Sequence, residues 1–100
     1  MTRRLIIQPE AEADITRAAI WYEDRENGLG GEVVSEIQAA IQRALTSPRA
    51  FTQLRESPRV HRVLVNRFPY RIFYIVGPDA LVVFAVLHAA QHERNWVRRV

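Results

Sequence analysis

Val60 to His88 reads VHRVLVNRFPYRIFYIVGPDALVVFAVLH. β-Branched and aromatic runs are broken here by two groups of turn residues, Arg67-Phe68-Pro69 and Gly77-Pro78-Asp79, which predicts strands near residues 60–66, 70–76 and 80–88 in an antiparallel meander. A four-residue loop over 66–69 sets Val65 against Tyr70, Val63 against Ile72 and His61 against Tyr74. A loop over 77–80 then lays Tyr70, Ile72 and Tyr74 beside Leu87, Ala85 and Val83, so one apolar face extends across three strands. In this register the opposite face carries Arg62, Leu64, Arg71, Phe73, Phe84, Val86 and His88. A slip of one residue would turn every side chain of a strand to the other face.

Upstream, the run from Arg4 to Gln8 is a short strand ended by Pro9, which opens a helix. Glu10, Glu12 and Asp14 suit the positive end of that helix, and Ile15, Ala18, Ala19 and Tyr22 form its apolar stripe. The run Glu23-Asp24-Arg25-Glu26 reads as its solvated end, and Gly28-Leu29-Gly30-Gly31 stops it. Val33, Ile37, Ala40, Ile41, Ala44 and Leu45 repeat the helical period up to Ser47-Pro48, which makes the pair an αα-hairpin able to cover the apolar sheet face. Residues 47–59 read as irregular loop, and residues 91–98 as a short C-terminal helix or tail. The expected class is α+β: an N-terminal strand, an αα-hairpin, a three-stranded antiparallel meander and a tail, in one domain over residues 1–100.

A chain of 100 residues suffices for one core and is short for two. Its 48% hydrophobic and 25% charged residues are those of an ordinary globular domain, which argues against disorder, collagen-like repeats and a disulfide scaffold. The absence of cysteine removes thiol nucleophiles, thiolate metal sites and redox switching. No apolar run approaches the roughly 18 residues needed to span a bilayer, and no signal peptide precedes Pro9, so a cytoplasmic protein without membrane contact is expected. All 14 positive residues are arginine. Residues 1–50 hold six of them against eight acids, a balance of −2, and residues 51–100 hold eight against three, a balance of +5; together these give the net +3. The basic second half favours a nucleic acid or an acidic protein as partner.

Within the expected sheet, Arg62 and His88 both lie diagonal to Arg71, so three cationic or titratable groups converge near one end. Guanidinium forks bind phosphates and carboxylates, and a nearby histidine exchanges protons near neutral pH, a set able to hold or cleave RNA. The same residues also suit a solvated sheet face with a structural histidine. Leu64, Phe73, Phe84 and Val86 need a cover, which the segment with Trp96 and Val97 or a partner protein would supply. His61, His88 and His92 lack metal-ligand spacing, so no metal and no cofactor are expected. Gly28-Leu29-Gly30-Gly31 follows a helix where a phosphate loop follows a strand, and no serine nucleophile elbow is present.

The element order, with Trp21-Tyr22, Gly28-Leu29-Gly30, Phe68-Pro69-Tyr70-Arg71-Ile72-Phe73-Tyr74 and Ala85-Val86-Leu87-His88, resembles the RelE/ParE superfamily of bacterial toxins over nearly the whole chain. The resemblance implies the toxin of a type II toxin–antitoxin module. Such a toxin inhibits growth and serves plasmid stabilisation, and a cognate antitoxin neutralises it by wrapping the basic, partly apolar sheet surface in a hetero-oligomer. Leu64, Phe73, Phe84 and Trp96 are the candidate partner-binding residues. RelE-like members cleave mRNA on the ribosome with basic residues of the sheet and without a metal. Arg71 and Arg62 match two of those positions, with His88 as a substitute acid or base. Leu64 stands at a lysine position, Gln91 at an arginine position, and Trp96-Val97 replaces the C-terminal tyrosine. ParE-like members inhibit DNA gyrase by protein contact and need no nuclease residues. The Gly-Leu-Gly turn, the Phe-Pro-Tyr hairpin and the Val-Leu-His strand end resemble this branch, or the mixed group between the branches, more than the RelE-like one, so gyrase inhibition is expected, with the endonuclease as the alternative.

Overall fold

Gln8 is extended (φ −68°, ψ 155°) and Pro9 takes the first helical position, where a missing N–H leaves no intrahelical bond unmade. Pro9 therefore ends strand β1 (Arg4–Ile7) and begins helix α1 (Pro9–Glu23) in one step. The structure, a computed structural model describing residues 3–91 and residue 99, continues with α2 (Leu29–Thr46), β2 (Thr52–Gln53), β3 (Val60–Leu64), β4 (Tyr70–Val76) and β5 (Ala80–His88). The five strands form one sheet in the order β1-β5-β4-β3-β2, with β1 parallel to β5 and every other pair antiparallel. This is the α+β arrangement expected. The expected tail over residues 92–98, with Trp96 and Val97, lies outside the described residues.

Two details of the helical hairpin depart from expectation. The glycines do more than stop α1: Gly28 holds the left-handed turn at φ 88°, while Gly30 and Gly31 are already inside α2. Gly30 is required because a Cβ there would stand 2.6 Å from the Ala19 carbonyl of α1, so its missing side chain lets the helices touch. Glu23 is not merely a solvated helix end. Its carboxylate accepts hydrogen bonds from the Gly28 N–H (3.0 Å) and the Gly30 N–H (3.0 Å), placing an anion at the positive end of α2. The supposed irregular loop also contains β2, which pairs Thr52 with Arg62 and Gln53 with His61.

The β3–β4 register is as expected, with Val63 opposite Ile72 and His61 opposite Tyr74. On β5 the expectation holds only as far as Val83, which faces Tyr74. A β-bulge follows, so Phe73 pairs with Ala85, Ile72 with Val86, Arg71 with Leu87 and Tyr70 with His88. Phe84 is the extra residue, and beyond it β5 is turned over relative to the sequence expectation. Val86 and His88 therefore lie on the helix-covered face, while Ala85 and Leu87 lie on the other. The helix-covered core joins Val33, Ile37, Ala40 and Ile41 to Val63, Ile72, Tyr74, Val83 and Val86. The opposite face has its own buried cluster of Leu54, Val60, Phe73, Phe84, Ala85 and Leu87. Tyr74 donates its hydroxyl to the Pro48 carbonyl at 2.7 Å, and burial pushes its pKa up to about 12. No described helix is long and apolar enough to cross a membrane.

Candidate functional site

Arg62 and Arg71 remain together on the sheet face away from the helices, opposite Phe73 and Leu64 respectively. Arg71 reaches past the end of β5, where the carbonyls of His88, Ala89 and Gln91 lie 3.4, 3.5 and 3.2 Å from one of its terminal nitrogens. Its guanidinium thus gathers the carbonyls of the chain leaving the strand. His88 does not join the two arginines, because the bulge at Phe84 sends it to the other face. There its ring meets Tyr70 edge-on, with centroids 5.2 Å apart. The three-residue convergence read from the sequence is not formed. Leu64 is 58% exposed, but Phe73 and Phe84 are 0% and 1% exposed and belong to the interior. Trp96 lies outside the described residues.

His88 instead lines a cleft between α1 and the adjoining ends of β4 and β5, together with Asp14, Arg17, Ala18, Trp21, Tyr70, Val86 and Gln91. Asp14, expected among the acids at the start of α1, is buried there at 4% exposure. Its carboxylate accepts the Val86 N–H at 2.9 Å, takes both terminal nitrogens of Arg99 at 2.5 and 3.2 Å, and pairs with Arg17 one turn along the helix. Arg99 also donates to the Phe84 carbonyl at 3.2 Å. β1 ends its pairing where the Gln8 N–H meets the Val83 carbonyl. Asp14 and Arg99 take up backbone groups of β5 just beyond that point, at the bulge, in place of a neighbouring strand. The hydrogen bond to Asp14 raises the Arg99 pKa above its ordinary value, against the opposing effect of burial.

Burial pushes the Tyr70 hydroxyl pKa above its ordinary value. His88 accepts the Ala90 N–H at Nδ1 (2.9 Å), which places the proton of the neutral ring on Nε2. Among the described residues, no three His, Cys, Asp or Glu side chains come together as a metal site. Sequence reasoning did not find the cleft. Its one legible signal was Asp14 itself, a carboxylate in helical step with Ala11 and Ala18 on the apolar stripe.

A family model described as the ParE toxin of the type II toxin–antitoxin system parDE matches residues 5–93. No curated protein sequence gives a significant match. Among solved structures, the chromosomal ParDE toxin–antitoxin system of P. aeruginosa aligns at a TM-score of 0.77 and 15% identity, covering 87% of this chain and 96% of that one. The isolated E. coli RelE toxin aligns at 0.66 and 22% identity, with 97% of each chain covered. The toxin of the intact E. coli RelBE complex aligns at 0.65 and 20% identity, covering 90% and 99%. These likenesses agree with the strand order and the helix pair. With the family match across almost the full length, they show that the chain belongs to the ParE toxin family, within the RelE/ParE superfamily of type II toxin–antitoxin toxins.

Proposed function

We propose that this toxin arrests growth as the ParE branch does, by binding DNA gyrase through protein contact, in the cytoplasm and under the control of a cognate antitoxin that forms a hetero-oligomer with it. The observation that carries this reading is the bulge at Phe84. It separates His88 from Arg62 and Arg71 by the thickness of the sheet, and a ribonuclease needs its proton-transfer group within hydrogen-bond reach of the phosphate its cations hold. Arg71 is moreover directed at the carbonyls of residues 88, 89 and 91. Leu64, where the endonuclease pattern has a lysine, adds an exposed apolar side chain to the face. The match to the ParE family model points the same way.

The test is induction of the chain alone in a bacterial host, with plasmid topology and mRNA integrity followed over the first minutes. The expected result is relaxed plasmid and intact ribosome-bound mRNA, with co-expression of the antitoxin restoring both supercoiling and growth. Cut mRNA with unchanged supercoiling would replace this mechanism by the endonuclease one.

A further inference from the structure

The cleft beside His88 encloses about 350 Å³, at the small end of the range of ligand sites and sufficient for one or two side chains. Its floor is the buried pair Ala18 and Val86. Its outer wall is Trp21, a large apolar residue left 49% exposed. That indole is already fixed: the Arg25 guanidinium lies 3.3 Å from its ring centroid and also donates to the Trp21 carbonyl at 2.8 Å, and Tyr22 packs edge-on from the side. A wall held this way gives up little rotamer freedom when something binds to it.

The polar groups of the lining are strongly one-sided. Among the described residues that line the cleft, Asp14 is the single carboxylate, and both of its oxygens are occupied by Val86, Arg99 and Arg17. The Gln91 side-chain Oε1 accepts the His88 backbone N–H at 2.8 Å, leaving the Gln91 side-chain NH₂ open. With Nδ1 of His88 also taken, the open groups among the described lining residues are the Nε2–H of His88, the Gln91 NH₂, the Trp21 indole N–H, the Tyr70 hydroxyl and the outward part of the Arg17 guanidinium. Apart from the hydroxyl, which can act either way, these are donors only. An apolar floor under a rim of donors fits a large apolar side chain with a carboxylate next to it. The net charge of +3 and sequence pI of about 10.2 draw an acidic segment toward it.

We propose that this cleft is the anchor site for the cognate antitoxin: one large apolar side chain enters between Trp21, Ala18 and Val86, and a neighbouring carboxylate of the antitoxin pairs with Arg17 and the Nε2–H of His88. The proposal rests on the toxin–antitoxin reading and adds to it the surface that is recognised. His88 and Gln91 line the cleft on one side, and their carbonyls lie against Arg71 on the other. An antitoxin seated here is therefore fastened to the same chain end that Arg71 holds.

The test is calorimetric titration of the full-length toxin with the purified antitoxin encoded beside it, using the wild type, Trp21→Ala, Arg17→Glu and, as a control on the exposed side of α2 outside the cleft, Gln42→Ala. Trp21→Ala and Arg17→Glu are each expected to weaken binding at least tenfold, and Gln42→Ala by less than threefold. Arg17 is largely exposed, so the charge reversal keeps the test decisive should Trp21→Ala prove unstable, and circular dichroism checks each fold. Wild-type affinity in both cleft variants would overturn the proposal while leaving the toxin–antitoxin reading intact. A wild-type chain that does not bind the antitoxin would remove both. Cleft variants that bind the antitoxin normally but no longer arrest growth would assign the site to the toxin's target instead.

Discussion

Asp14 lies in step with Ala11 and Ala18 on the buried stripe of α1, where an alanine would satisfy helical periodicity equally well. What it does instead is electrostatic and directional. One carboxylate accepts a backbone N–H of β5 and the forked guanidinium of Arg99, which joins the first helix, the bulged strand and the penultimate residue of the chain. Replacing Asp14 by Asn keeps the size and one acceptor but leaves Arg99 without its counter-charge. The expected loss of stability is about 3 kcal/mol, the low end for removing one partner of a buried ion pair, since Arg99 retains some exposure. It should appear as a lower urea midpoint at unchanged slope. A midpoint within error of the wild type would mean that the pair adds nothing to the fold. The sequence showed an acid in the first half of a helix, and surface acids there are common. Only the helical phase distinguished Asp14 from Glu10 and Glu12, whose side chains stay in solvent.

Elements differed in how clearly the sequence announced them, for reasons that can be traced. β3 alternates, with His61, Val63 and Val65 on one face and Arg62 and Leu64 on the other, so its pairing with β4 was legible. β5 runs Leu81-Val82-Val83-Phe84-Ala85-Val86-Leu87 without a polar residue, and a strand apolar on both faces has no phase to read. Nothing in such a run marks an inserted residue, and the exchange of Val86 and His88 for Ala85 and Leu87 followed from that. β2, two residues long, lies below any periodic signal. The two helical glycines form a more exact test at this scale. Gly30→Ala would press a Cβ within 2.6 Å of the Ala19 backbone carbonyl and force α1 and α2 apart, whereas the space at Gly31 is empty. Gly31→Ala should therefore raise stability by up to about 1 kcal/mol through helix propensity, and Gly30→Ala should lower it. Thermal melts of the two variants should move in opposite directions. A common direction would mean that close helix contact is not what keeps Gly30.

Across the whole molecule, the five-stranded sheet keeps two chemistries apart. Arg62 and Leu64 stand on one side, while the cleft of Asp14, Trp21 and His88 stands on the other. Residues that act as one catalytic unit show strongly non-additive losses, because removing the first disables the rest. Residues far apart with no shared partner add to within about 0.5 kcal/mol. Arg62→Ala, His88→Ala and the double variant apply this distinction to growth arrest in the absence of antitoxin, scored as the rate of loss of colony-forming cells at matched expression. If the toxin works by protein contact, with His88 turned toward the antitoxin cleft, the logarithms of the two single effects should sum to that of the double. His88→Ala should contribute little of that sum. A double variant no worse than its weaker single would require Arg62 and His88 to meet at one reacting phosphate. That would need β5 to carry its side chains in the unbulged register, with His88 beside Arg71 on the open face, so the same three strains also report on the strand geometry from which the gyrase reading was drawn.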